Sequence, residues 1–415
     1  MELKFAASLD RKWLYPENPA SVFLLLEVQA AEVKSRETRQ NLGLVLDRSG
    51  SMAGAKLDYT KQAASFVAGH LGSEDFVSLT VFDSHVDVLY PGGALLNRDH
   101  FRARVETVNP GGSTNISGGT LAGFQEVRKN LREGQVNRVL LLTDGQANVG
   151  LTKPQELIRT VAQIREAGVT LSTFGLGEGF EEDLLMNMAE AGGGNFYYID
   201  APDSIPGIFA QELKGLLAVV AQNLRLKLTP GPGVKLMGAM GYSLAVSGTS
   251  YLANLADIYS GERKLLLVEL GVAGHSGESW PLAQVKLEYT GVGEDLSLER
   301  TQVAITLPVT MNPGDALEEN IDVVRQVELF RAAEARGRAI QEADKGNFQA
   351  SRAILEEQIA RMNELGLDSP QLKQAMNSLE SDISFFCMDS YSAKARKQMQ
   401  AESYRMKKGR ESHYE

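Results

Sequence analysis

From Asn41 to about Leu217, short apolar runs alternate with stretches of helical spacing. Leu42-Gly43-Leu44-Val45-Leu46 is unbroken, as a strand buried on both faces of a parallel sheet requires. Phe76–Phe82, Val139–Leu142, Val169–Phe174 and Phe196–Ile199 read as further strands. Helix-like segments fall between them, first through Lys61, Ala64, Phe66 and Val67, then at Gly118–Leu131, Pro154–Ala167 and Asp183–Ala191. This succession predicts an α/β domain with a doubly wound, mostly parallel sheet.

On both sides of that block the apolar period shortens to two. Leu3, Phe5, Ala7 and Leu9 alternate with less apolar neighbours, and Val22–Val28 forms a second run after a turn marked by Pro16, Asn18 and Pro19. Beyond Val220, Leu224, Leu226 and Leu228 alternate with Arg225 and Lys227; Val285, Leu287 and Tyr289, then Val303, Ile305 and Leu307, repeat the pattern. One-sided alternation suits antiparallel sheets with one wet face. The expectation is one antiparallel β-sandwich built from both segments, with the α/β domain inserted between them.

The period lengthens again near the end. Leu317, Ile321 and Val324 share one helical face, Leu355, Ile359 and Met362 another, and Leu372, Met376, Leu379, Ile383 and Phe386 form a sustained stripe. Gly346-Asn347 separates the first two helices. The expected division is N-terminal strands at 1–38, the α/β domain at 39–220, the rest of the sandwich at 221–312, a C-terminal helical region at 313–390 and a basic tail at 391–415. In the tail, Lys394, Arg396, Lys397, Arg405, Lys407, Lys408 and Arg410 outnumber Glu402, Glu411 and Glu415. Such a run reads first as a solvated helix face or frayed terminus. Second, it reads as a docking site for an acidic partner or another copy of this chain, which would make a homo-oligomer.

Composition narrows the picture. A chain of 415 residues with 43% hydrophobic and 23% charged residues is ordinary for a protein of more than one domain. A net charge of −11 argues against broad nucleic-acid binding. Cys387 is the sole cysteine, so neither an internal disulfide nor a cysteine-based zinc site can form. No apolar stretch reaches membrane-spanning length, and Met1-Glu2-Leu3-Lys4-Phe5 does not begin like an export signal. The expected setting is cytoplasmic.

Three loop sequences carry the chemistry. Asp47-Arg48-Ser49-Gly50-Ser51 follows the first buried strand, Gly111-Gly112-Ser113-Thr114-Asn115 precedes a helix, and Thr143-Asp144-Gly145 follows the strand Val139–Leu142. In an open parallel sheet, loops at the carboxyl ends of strands converge on one crevice. Two carboxylates and several hydroxyls would meet there without sulfur or histidine nearby in sequence. Oxygen donors select hard cations; a small site of hydroxyls plus waters favours Mg2+, with Mn2+ or Ca2+ as alternatives.

These residues resemble the metal-ion-dependent adhesion site of von Willebrand factor type A domains. The likeness covers about residues 40–220, and the flanking layout is similar to that of bacterial intracellular proteins with this domain embedded in a larger chain. It implies that Ser49, Ser51 and Thr114 bind the metal through their hydroxyls, with Asp47 and Asp144 binding directly or through water. It further implies a non-enzymatic adaptor or assembly factor, whose metal keeps a coordination position open for a Glu or Asp carboxylate of a protein partner. Met52, Ala53, Gly54 and Ala55 stand where integrin-type relatives carry the acidic residues of a neighbouring metal site, so no such site is expected. Arg48 would point outward and assist recognition of an acidic partner.

Competing readings use the same residues. Ser49 and Ser51 could serve only as helix N-caps and Asp144 only as a turn residue, leaving a structural assembly protein with a vestigial site. A metal-dependent hydrolase such as a phosphatase would want a second carboxylate two residues after Asp47, but Ser49 stands there, and no general acid or phosphate-gripping lysine accompanies it. Lys56 reads as a solvent-facing helix residue. Cys387 reads as core and Gly192-Gly193-Gly194 as a tight turn. His70, His85, His100, His275 and His413 lack ligand spacing and read as surface or packing residues.

Overall fold

The computed structural model describes residues 3–15, 20–32, 38–132, 134–272, 277–292, 298–312, 314–315, 318–367, 369–388 and 390–408. The turn expected at Pro16, Asn18 and Pro19 lies outside these residues, as do Leu317, His275, His413, Arg410, Glu411 and Glu415. The chain divides into two compact units. One comprises Met1–Ala31, Asn223–Thr290 and Leu298–Glu415; the other comprises Glu32–Gln222 and Gly291–Ser297.

The chain opens with an antiparallel pair, β1 (Lys4–Leu9) and β2 (Ala20–Gln29). It then enters the α/β unit, whose strands are β3 (Gln40–Asp47), β4 (Phe76–Phe82), β5 (Val86–Ala94), β6 (Val136–Thr143), β7 (Thr170–Leu176) and β8 (Gly193–Ile199). They form a six-stranded sheet in the order β5-β4-β3-β6-β7-β8, parallel except for the β5 edge. Every residue of β3, β4, β6 and β7 is buried, which is why their central residues are mostly apolar, as in Leu42–Leu46 and Val139–Leu142.

The helices of this unit are α1 (Ala55–His70), α2 (Arg98–Glu106), α3 (Ile116–Arg128), α4 (Pro154–Glu166), α5 (Glu182–Gly192) and α6 (Ile205–Leu216). Two elements carry little periodic signal, β5 and α2, whereas α6 has a plain helical stripe in Ile205, Ile208, Phe209, Leu213 and Leu216. β5 is a half-buried edge whose partner strand lies on one side only, and it tolerates Pro91. α2 buries only Phe101 and Val105.

The order of connections determines where loops meet. From β3 the chain passes through α1 to β4 on one side, and later through α3 to β6 on the other. The loops leaving β3 and β6 therefore emerge side by side at the carboxyl edge, the place where open α/β sheets bind ligands. α3 seats directly on β3: a Cβ at Gly123 would come within 2.2 Å of Val45 Cγ2, so only glycine allows this approach. That seating holds the segment before α3 over the same edge.

The opposite end of β6 is closed by a buried ion pair. Arg138 Nη1 lies 2.9 Å from Glu212 Oε1, and Ser172, Asn195 and Tyr197 also donate to the Glu212 carboxylate. Burial works to raise Glu212, but the Arg138 charge and these donors outweigh it and hold the carboxyl below its ordinary value.

In the other unit the chain continues with β9 (Val219–Pro230), which begins at the end of the α/β unit. β10 (Val234–Met240), β11 (Leu244–Ser247), β12 (Ser250–Tyr259), β13 (Arg263–Val272), β14 (Ser279–Gly291) and β15 (Leu298–Pro308) follow. Two antiparallel sheets result, β1-β2-β13-β10 and β11-β12-β9-β14-β15. β2 pairs with β13 along its whole length, from Ala20↔Val272 to Gln29↔Arg263, so the N-terminal strands and the later strands share a sheet. Leu224, Leu226, Leu228, Val285, Leu287 and Tyr289 are buried, as their alternation predicts.

The helical region is α7 (Ile321–Asp344), α8 (Phe348–Glu364), α9 (Pro370–Ile383) and α10 (Ala393–Lys407). Leu355, Met362, Leu372, Leu379 and Phe386 form its core with alanines of α7. Two expectations are corrected here. Ile321 is 51% exposed; the face α7 buries against Phe23, Leu25, Leu265 and Leu267 is Val323, Val327 and Phe330, because those residues meet the β1-β2-β13-β10 sheet. The supposed basic tail is instead the packed helix α10. Lys397 and Lys408 are buried, Ser403 donates to the Ala333 carbonyl, and the Lys408 ammonium reaches the Gly241 carbonyl and the Tyr242 ring. Lys397 and Lys408 thus lie against other elements instead of extending into water, while Lys394 stays exposed. Among the described residues no helix is long and apolar enough to cross a membrane.

Candidate metal centre

Four of the five expected residues form one hydrogen-bonded cluster at the carboxyl edge. Asp47 ends β3 with its carboxylate wholly buried; Oδ1 accepts from the Ser49 amide at 2.7 Å and Oδ2 from the Thr143 hydroxyl at 2.5 Å. The Ser49 and Ser51 hydroxyls are 3.1 Å apart, and Ser51 Oγ donates to Asp144 Oδ1 at 2.7 Å. Ser51 faces solvent, while Ser49 and Asp144 are buried. Thr114 is buried and adjoins the Asp144 loop from the other side. Its carbonyl accepts from the Asn148 and Val149 amides, and a Cβ at Gly145 would come within 2.8 Å of Thr114 Oγ1.

The segment carrying Thr114 is held by backbone contacts. Gly50 N donates to Gly112 O at 3.0 Å, and Gly111 N donates to Arg48 O at 2.7 Å. Asn115 then caps α3 by accepting from Gly118 N. Gly111 must lack a side chain, because a Cβ would lie 1.7 Å from Asp83 Oδ2.

Three contributors escape the sequence reading. Asp83 accepts from the Gly112 and His85 amides and so supports the Gly111-Gly112 loop. Burial works to raise its carboxyl, but those amides and the Arg48 charge hold it below the ordinary range. Its signal was available, since it directly follows the strand Phe76–Phe82 at the same sheet edge. Thr143 orients Asp47 and also accepts from Gly145 N, a role invisible without the fold. Lys56 is the third: its Nζ lies 2.5 Å from Asp144 Oδ2. It is therefore no solvent-facing bystander, and no periodicity links it to a carboxylate so distant in sequence.

Arg48 is also corrected. Its guanidinium does not point outward but pairs with Asp87 at 2.5 Å and lies near Asp83, tying the β3 loop to the β4–β5 hairpin. His70 contacts the Phe66 ring and carbonyl, His100 the Tyr90 ring, and His85 is exposed. Cys387 is half-buried.

The donor set fits a hard divalent cation. Ser49 occupies the N-cap position of the short turn Gly50–Met52, yet its side chain makes no capping bond, and α1 is capped by Gly54 without side-chain help. The serine hydroxyls turn toward Asp144 instead of capping. Asp47 has no positively charged neighbour among its hydrogen-bond partners. Burial pushes its carboxyl up to about 6; the Thr143 and Ser49 hydrogen bonds resist that rise and the Asp144 charge adds to it. Such a carboxylate is under-neutralised, which is the condition a bound cation relieves. Among the described residues no three His, Cys, Asp or Glu side chains gather, so the donors are hydroxyls and a pair of carboxylates.

An α/β domain whose switch-point loops gather hydroxyls and two carboxylates is thus the class this fold defines. Residues 41–211 match the model of the von Willebrand factor type A domain, so this stretch of the chain is similar to that domain. An uncharacterized Escherichia coli protein, YfbK, is 28% identical over 267 residues, covering 62% of this chain and 46% of its own length. The chain therefore spans about half of that relative. An uncharacterized Synechocystis protein is 25% identical over 338 residues, covering 79% of each chain. A solved structure described as von Willebrand factor type A from Catenulispora acidiphila superposes with a TM-score of 0.76 at 15% identity, covering 97% of this chain and 96% of its own, a likeness of fold.

Proposed function

We propose that this protein binds a partner protein through a divalent cation, Mg2+ foremost, held by Ser49, Ser51 and Thr114 with Asp47 and Asp144 in support. The observation that carries this reading is the hydrogen-bonded cluster of Ser49, Ser51 and Asp144 beside the buried Asp47, with its serine hydroxyls free of capping duty. A bound cation would supply a Lewis-acidic position for a carboxylate oxygen of a partner's Glu or Asp. The chain's own residues do the rest. Thr143 and the Ser49 amide orient Asp47, Asp83 braces the Gly111-Gly112 loop, and Ser51 presents the site to solvent. Metal and partner then strengthen one another's binding, since each contributes what the other lacks. The role is that of an adaptor or assembly factor, and the single thiol suits a reducing, cytoplasmic setting.

The hydrolase reading gains one feature, the Lys56 ammonium on Asp144, yet Asp47 is too enclosed to attack a substrate and Ser49 cannot act as its acid–base partner. Affinity capture with the whole chain in Mg2+, followed by chelator elution, tests the interaction. The same partner should be released by chelator from the wild type and be absent from Asp47→Ala and Thr114→Ala columns. Retention on either variant, with chelator present, would overturn the reading.

A further inference from the structure

Asp144 divides its two oxygens between different chemistries. Oδ1 faces the serine hydroxyls through Ser51, and Oδ2 faces the ammonium of Lys56 at 2.5 Å. Lys56 stands in the first turn of α1, the helix that follows the Asp47 loop, with its side chain 34% exposed while that of Asp144 is 0% exposed. Asp47 receives hydroxyl and amide donors, with no ammonium or guanidinium among them. One carboxylate of the pair thus carries its own countercharge and the other does not.

We propose that Lys56 is a built-in countercharge of the metal centre, weakening its hold on a divalent cation alone and leaving the loaded centre attractive to an acidic ligand. This rests on the metal-binding reading above and extends it to the division of affinity between metal and partner. The charges make the case. Asp47 and Asp144 with Lys56 sum to −1, so a divalent cation brings the centre to +1; without Lys56 the same loading ends at zero. A centre left at +1 attracts a carboxylate and disfavours unliganded metal, so loading and partner capture become coupled.

The test uses the full chain as wild type, Lys56→Met and Lys56→Arg, titrated with Mn2+ alone in chloride buffer by calorimetry and by electron paramagnetic resonance. Lys56→Met should bind Mn2+ about tenfold more tightly than wild type, the scale of a water-screened unit charge beside a divalent ion, and Lys56→Arg should stay near wild type. Repeating the titration in acetate should tighten Mn2+ binding more in wild type than in Lys56→Met. Melting curves in chelator verify that each variant is folded, and Lys56→Gln replaces Lys56→Met if that variant does not fold. Equal or weaker Mn2+ binding by the neutral variant, with wild-type binding intact, overturns the countercharge role and leaves the metal centre standing. No Mn2+ binding by either protein overturns both.

Discussion

The two ends of β6 handle buried charge in opposite ways. At its start, Arg138 meets Glu212, and Ser172, Asn195 and Tyr197 complete the carboxylate's hydrogen bonds. Just past its end, Asp47 accepts from the Ser49 amide and the Thr143 hydroxyl and Asp144 from the Ser51 hydroxyl, with one partly exposed lysine, Lys56, paired to Asp144 alone. The first cluster is closed by the protein itself, and its acid is held below the ordinary range. In the second, Asp47 is pushed up to about 6. Burial is common to both, so the difference lies in whether the chain supplies enough positive charge. A closed pair stabilises the domain; an under-neutralised one is poised for a cation from outside.

The comparison breaks most visibly at Glu212. Glu212→Gln should cost about 3–5 kcal/mol in urea unfolding, because it strands Arg138 in the interior. The Glu212 contribution is complete above its unfolded value of 4.5 and is lost as pH falls through the lower folded value. Wild-type stability should therefore drop at acid pH, with a shallower drop in the variant. A pH-independent difference between the two would remove Glu212 from the account.

Asp47 should behave in the reverse sense. Its folded value of about 6 lies above the unfolded 3.8, so its contribution is complete below 3.8 and lost as pH rises through 6. At neutral pH in chelator, Asp47→Asn should melt no lower than wild type and gain up to about 2 kcal/mol. The same variant should lose its Mn2+-induced rise in melting temperature. A large loss of stability in chelator would make Asp47 structural, like Glu212.

Smaller effects sharpen the contrast. Thr143→Val removes the hydroxyl that orients Asp47 and should weaken Mn2+ binding about 10–100-fold by calorimetry, the usual cost of losing such a supporting contact. Arg48→Met should leave Mn2+ affinity within about twofold and cost about 1 kcal/mol or less, since its pair with Asp87 is partly exposed. A partner-binding defect with unchanged stability would return Arg48 to recognition.

Much of the architecture is legible in the chain because burial on both faces forces unbroken apolar strands, as in Leu42–Leu46. One-sided burial likewise forces alternation, as in Leu224, Leu226 and Leu228. The strand pattern places Asp47 and Asp144 at strand ends, and the resemblance to the adhesion site is what joins Ser49, Ser51 and Thr114 to them. Elements with little to bury, β5 and α2, leave no such trace. α10 misleads for a related reason: its lysines and arginines look solvated, but their stems and ammonium groups lie along other elements.

By itself, then, the sequence determined the buried strands of the α/β unit, the alternating strands around it and Asp47 and Asp144 at two strand ends, since those depend on local period and chemistry. Tertiary structure alone decided how charge is shared among them. Lys56 and Asp144 lie 88 positions apart and Arg138 and Glu212 lie 74 apart, and only the packing of helix on sheet brings each pair together. Countercharge acts over a few ångströms, and sequence separation holds no record of it.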